Sequence, residues 1–261
     1  MKRINLPLRI FGLFAVIFLL LPTFIIFPMS FSSGRTLKFP PPGYSLRWYE
    51  NLFTSPLWTD AAVSSLQIGT LTAILATALG TVAALGLSRS DFRGKNLVQA
   101  IILSPLIIPL VIVAVGMFSV FVRWRIAGSL FALVAAHTVL AIPFVVINVM
   151  ASLRTLDRNL ELAAANLGAG PLRTFWHVTL PLIAPGAMAG ALFAFITSWD
   201  EIVVAIFLTS PTLRTLPVVM WGQVRTEVDP TIAAAATLLT VITVAIFTVT
   251  SLLRIRGNQA V

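Results

Sequence analysis

Six apolar runs dominate this sequence: about 9–31, 61–88, 97–122, 128–151, 186–209 and 230–253. Each is long enough, as a helix rising ~1.5 Å per residue, to cross a hydrocarbon core of ~30 Å. Backbone in lipid must satisfy its own hydrogen bonds, which leaves only helices and closed barrels. The runs are too long and too continuous for barrel strands. A soluble core would not need them either, because the chain is 58% hydrophobic and only 10% charged, against roughly 45–50% and 25% in soluble domains. The expectation is an all-α membrane protein with six transmembrane helices. The first run follows MKRINLPLR, yet its apolar part is about twenty residues. A signal-peptide core has only ~7–15, so the run is expected to stay as a span.

The net charge of +9 does not form a basic face. It lies between the apolar runs, which argues against nucleic acid and for membrane lipid. With the N-terminus inside, inner segments carry eleven Lys and Arg: Lys2, Arg3, Arg9, Arg89, Arg93, Lys95, Arg154, Arg158, Arg173, Arg254 and Arg256. Outer segments carry seven: Arg35, Lys38, Arg47, Arg123, Arg125, Arg214 and Arg225. The bias places both termini in the cytoplasm. The sequence has no cysteine, hence no disulfide or thiolate metal site.

Several breakers fall inside or beside the spans. Pro105 and Pro109 interrupt the third and Pro143 the fourth, either as packing kinks or as the shape of a cavity. The outer loop 32–60 holds FPPPGYSLRWYENLF. Its prolines 40–42 predict stiff, extended backbone, and Tyr44, Trp48 and Tyr49 suit an interface. Thr59 or Asp60 is a candidate cap for the second span. Asp229 with Pro230 is one for the sixth.

The longest inner segment is 151–186. Leu153, Leu156, Leu160, Ala163 or Ala164, and Leu167 recur at helical spacing and predict one helix over 152–167, which Gly168 and Gly170 end. Pro171 then opens a short helix over 171–178 bearing Leu172, Phe175 and Trp176, with Leu180 and Pro181 at its end. A short amphipathic helix between spans either lies among lipid headgroups or docks in a groove on a cytoplasmic partner.

Glu161-Leu162-Ala163-Ala164, then Gly168, then Val178-Thr179-Leu180-Pro181 resembles the EAA loop of ABC-transporter permeases. The family Glu falls on Leu162 here, and the acid stands at Glu161. LRWYENLF, SWDEIVVAIFLTSP and TLPVVMWGQVRTEVDPTIAAAATLL are similar to the spermidine/putrescine-type permease subunits. The resemblance implies a type I ABC importer (MetI-like) permease fold and one permease domain over 1–261, with a cytoplasmic coupling loop over 152–185. It implies a second, homologous permease subunit, two ATPase subunits that bind ATP and Mg, and a periplasmic substrate-binding protein, all at the bacterial inner membrane. It also implies ATPase coupling by Glu161, Ala163, Ala164, Gly168, Leu172, Phe175, Trp176, Leu180 and Pro181. Polyamines are the implied substrate, with another small solute or an ion-coupled transporter as alternatives.

The residues agree on the division of labour. The sequence has no Gly-x-x-x-x-Gly-Lys-Ser/Thr stretch, catalytic triad or metal-ligand cluster, and only two histidines. His177 lies in the inner loop. His137 is expected to hydrogen-bond between helices. The chain is therefore expected to be non-catalytic, with no cofactor of its own.

The remaining oddity is ITSWDEIVVAIFL at 196–208, where Asp200 and Glu201 adjoin in apolar sequence. If Gly186 opens the fifth span, Asp200 is about 21 Å along it, toward the outer side. Adjacent residues on a helix point about 100° apart, so the two acids need not share a role. On a continuous helix Glu201 falls in line with Gly190, Ala194, Ser198 and Ala205, and Asp200 with Phe193, Thr197 and Val204. An acid inside a span is either bonded to a neighbouring helix or faces a pathway. Asp200, Glu201, Trp199 and Thr197 are the pathway candidates.

Overall fold

The computed structural model describes residues 6–226 and 229–258. Lys2 and Arg3 lie outside these, as do the side chains of Arg9, Arg254 and Arg256. The described residues are helical, with no strand among them beyond two isolated bridges, Ser32 with Tyr44 and Ser210 with Leu213. The helices are α1 (Leu6–Ser30), α2 (Arg47–Thr54), α3 (Pro56–Arg89), α4 (Lys95–Leu103), α5 (Leu110–Arg123), α6 (Leu130–Thr155), α7 (Arg158–Asn166), α8 (Pro171–Thr174), α9 (Leu180–Trp199), α10 (Val203–Leu208), α11 (Leu216–Thr226) and α12 (Thr231–Asn258). Among the described residues, four stretches are long and apolar enough to cross a membrane: Ile10–Ser30, Pro56–Arg89, Leu130–Thr155 and Pro171–Trp199. A fifth is the pair Lys95–Leu106 and Leu110–Arg123, bent by 101°. The third run is thus broken rather than merely kinked. Pro105 and Pro109 remove two backbone donors close together, and a 3₁₀ turn at Ser104–Leu106 fills the corner. The described apolar part of α12, Thr231–Ala245, is shorter than a full span.

The chain divides into two compact units, Met1–Thr59 with Val219–Ser251, and Asp60–Val218 with Leu252–Val261. In the first, α1 keeps its large apolar side chains exposed, among them Phe11, Phe18 and Phe24. In lipid such exposure carries no hydrophobic penalty. The loop after α1 folds back on itself instead of extending. Ser33 N donates to the Gly43 carbonyl at 2.9 Å and Ser45 N to that of Phe31 at 2.6 Å. Backbone pairing at its ends overrides the stiffness of the prolines. Tyr49 hydroxyl and Ser30 Oγ share a 2.7 Å hydrogen bond, tying α2 to the end of α1. Asp229 caps α12 as expected, accepting from Thr231 N and Thr231 Oγ1, both at 2.8 Å. Asn51 Nδ2 donates to the same hydroxyl at 2.9 Å. For α3 the expected caps fail. The helix begins earlier, with Pro56 in its first turn and the Ser55 carbonyl accepting from Trp58 and Thr59.

The second unit is built around α6, which is buried along most of its length. Ser129 caps it through Ala132 N at 3.2 Å. Pro143 sits inside without breaking it. Val145 is the contact point of three helices. A Cβ on Gly190 of α9 would come within 2.9 Å of Val145 Cα, and one on Gly80 of α3 within 2.7 Å of Val145 Cβ. One turn earlier on α9, a Cβ on Gly186 would strike the Asn148 carbonyl at 2.7 Å. Small residues let helix backbones approach closely in a membrane, and here Gly186, Gly190 and Ala194 supply that face. A second apolar cluster joins α3, α5, α6 and α10 through Ile68, Ala114, Leu133 and Val204.

Candidate functional site

Two places gather the functional candidates, both inside the second unit. The first is the loop after α6. A single helix over 152–167 does not form. Leu156 and Asp157 are extended, and Asp157 Oδ1 accepts from Asn159 N at 2.9 Å to cap α7. Asp157 is therefore a cap rather than a point on the helix surface. Gly168 ends the following turn with φ +83°, a left-handed conformation that a glycine adopts without penalty. Pro171 then opens α8, in agreement with the sequence.

Pro181 does not end that helix. The chain passes from α8 through a π turn, Phe175–Thr179, straight into α9. Gly186 consequently opens nothing and lies inside α9. The wider π turn gives room to the Pro181 ring, which would otherwise collide with the carbonyl four residues back. The short helix at Pro171 and the fifth span are therefore continuous.

On this loop Leu172 is 72% exposed and Trp176 57%. Leu162 and Ala163 are also exposed, and Ala164, Phe175 and Leu180 are half-buried. Phe175 packs edge-on against Trp176 with centroids 5.4 Å apart. Glu161, by contrast, points inward. It pairs with Arg89 at the end of α3 and accepts from Thr179 Oγ1 at 2.5 Å. Arg89 Nη2 also donates to Thr179 Oγ1 at 3.0 Å. Arg89 and Thr179 were invisible as partners in sequence, being 72 and 18 residues from Glu161. The one available signal was a basic residue in the last turn of α3.

The second place is the acid pair, where the expected continuous helix 186–209 breaks. α9 stops at Trp199 and α10 starts at Val203, with Asp200, Glu201 and Ile202 between them. The helical alignment of Glu201 with Ala205, and of Asp200 with Val204, does not survive this break. The cause is Glu201 itself. Its Oε1 accepts from Val204 N at 2.8 Å and its Oε2 from Ala205 N at 2.9 Å. A carboxylate on the free N–H groups of a helix start is a strong cap, and it competes with continuing the helix.

Glu201 is buried, with 6% exposure. His137 Nε2 of α6 lies 3.5 Å from its Oε2. His137 Nδ1 shares a 2.7 Å hydrogen bond with Ser198 Oγ, the interhelical bond expected of it. Trp199 is also buried and stacks on Phe195, with centroids 5.5 Å apart. Thr197 is half-buried. Asp200 is the exposed member of the group. Irregular backbone at membrane depth persists where protein buries it or where it lines a wet cavity. Here Glu201 is buried in protein and Asp200 is exposed. No group of three or more His, Cys, Asp or Glu able to hold a metal occurs among the described residues.

Comparison with known proteins agrees with this architecture. Residues 76–255 match the family model for binding-protein-dependent transport system inner membrane components. The chain is 37% identical over 237 residues to the putrescine transport system permease protein PotI of Escherichia coli K12, covering 86% of this chain and 84% of that one. It is 30% identical over 242 residues to the spermidine/putrescine transport system permease protein PotC of Haemophilus influenzae, covering 93% and 94%. Among solved structures, a bacterial ABC transporter involved in alginate import superposes with a TM-score of 0.72 at 17% identity, covering 96% of this chain and 99% of that one. The MetNI methionine ABC transporter gives 0.61 at 20% identity, covering 76% and 94%. With a type I importer permease fold and a family match over most of its length, this chain belongs to the binding-protein-dependent transport system inner membrane components.

Proposed function

We propose that this chain is a permease subunit of an ATP-driven, binding-protein-dependent importer of polyamines or related small cationic amines. The observation that carries the substrate class is the 30–37% identity, over most of the chain, to putrescine and spermidine/putrescine permeases. The exposed Asp200 beside a helix break is consistent with it, since a cation leaving water needs a compensating negative charge. Specificity is shared with the binding protein, which selects the solute before it reaches the membrane.

In this reading the six apolar runs form one permease domain with both termini in the cytoplasm. A homologous second permease subunit completes the pathway, and a periplasmic binding protein delivers the solute. Two ATPase subunits bind ATP and Mg and supply the energy. The exposed Leu172, Trp176 and half-buried Phe175 form the docking surface for an ATPase, because large aromatics dominate such contacts. Because α8, the π turn and α9 are continuous, a push on the docking segment reaches Trp199 and the break at Asp200. Closure of the ATPases on ATP thereby changes the access of the acid pair. Co-purification tests the assembly: an ATPase and a second permease chain should come with this one, and their absence would remove the importer reading.

A further inference from the structure

We propose that Arg89, Glu161 and Thr179 form a clasp that positions the docking loop and passes its movement to two membrane helices at once. This rests on the reading of Leu172–Trp176 as the ATPase-docking surface. The three residues come from three elements: the last turn of α3, the first turn of α7, and the end of the π turn that leads into α9. All three pairwise contacts are made. The Thr179 hydroxyl is used twice, donating to Glu161 and accepting from Arg89, and Thr179 is fully buried. Glu161 retains 15% side-chain exposure and Arg89 39%. The group is thus more sheltered than an ordinary surface ion pair, and its hydrogen bonds are charge-assisted.

The clasp matters because little else holds α7. That helix has nine residues and none of them is buried. Its apolar Leu160 and Leu162 face outward. Apart from the clasp, the main neighbours of α7 are α8 and the π turn. With it, Glu161 ties α7 to Thr179, so the loop and the base of α9 move together. Arg89 adds α3 to the same body. Glu161 is committed to this internal contact, which leaves the exposed apolar residues to face the ATPase. Arg89 and Thr179 are accordingly positioning residues, acting on transport through Glu161 and the docking loop.

The test uses Arg89→Gln and Thr179→Val, with Arg89→Lys and Thr179→Ser as conservative controls. In lipid nanodiscs, amide exchange over 158–166 should speed up at least tenfold in R89Q and T179V, stay near the unsubstituted rate in T179S, and remain unchanged in α6. Unchanged exchange over 158–166 would overturn the clasp. In the reconstituted importer, R89Q should keep ATPase association and ATP hydrolysis while transport per ATP falls at least tenfold, with partial recovery in R89K. A proportional fall of hydrolysis and transport would show that the residues only hold the fold, and would overturn the positioning role. If the unsubstituted chain recruits no ATPase, the importer reading fails, and the exchange measurement still decides the clasp.

Discussion

His137 Nδ1 and Ser198 Oγ share a 2.7 Å hydrogen bond that joins the N-terminal third of α6 to the last turn of α9. Both residues are buried, and the far side of the same imidazole lies 3.5 Å from Glu201. One side chain therefore borders both the end of α9 and the carboxylate that starts α10. Removing the bond leaves a buried hydroxyl unpaired, at a cost of about 1–3 kcal/mol. His137→Ala should lower the melting temperature of the purified chain in detergent. Adding Ser198→Ala should restore part of the loss, because the orphaned hydroxyl is removed with its partner. Fully additive losses would show that the bond contributes nothing.

The acid pair divides into two tasks. Glu201→Gln keeps the shape but gives up one acceptor, so one of the Val204 and Ala205 N–H groups loses its partner. This should destabilise the chain by about 1–2 kcal/mol, read as a lower melting temperature. Asp200→Asn, at an exposed position, should leave the melting temperature within about 0.5 kcal/mol of the original while uptake falls. Equal thermal effects for both substitutions would contradict this division.

Gly190 offers a packing test. Its absent Cβ would lie 2.9 Å from Val145 Cα, and backbone cannot step aside as a flexible side chain can. Gly190→Ala should force α6 and α9 apart and cost about 1–3 kcal/mol, checked by thermal unfolding. Gly116, with nothing within 4 Å of a built Cβ, serves as the control, and Gly116→Ala should be tolerated.

Trp176 is 57% exposed, so Trp176→Ala should leave the fold unchanged. As an aromatic anchor it should contribute about 2 kcal/mol or more to docking, equivalent to roughly 30-fold in ATPase affinity. A titration of purified ATPase onto the reconstituted permease measures this. An unaltered affinity would move the docking surface elsewhere.

Most of the apolar spans, the Asp229 cap and the Gly168 stop were legible because each rests on local chemistry. Apolar length, a capping carboxylate and a glycine turn are properties of adjacent residues. The helix break at Asp200 was not, because helical periodicity carries on through Glu201 in the sequence while the backbone does not. Glu201 instead turns its carboxylate onto the N–H groups three and four residues ahead. Pro181 misled for the opposite reason: a proline that usually stops a helix was absorbed by the π turn before it. The Arg89–Glu161–Thr179 group needed the fold, since no sequence spacing links α3 to α7.

The importer function is tested most directly by uptake of labelled putrescine into proteoliposomes holding this chain with the proposed second permease, ATPase and binding protein. Uptake should require ATP on the ATPase side, persist when ion gradients are collapsed, and fall at least tenfold in D200N with assembly intact. Uptake that needs no ATP and disappears with the ion gradient would contradict it.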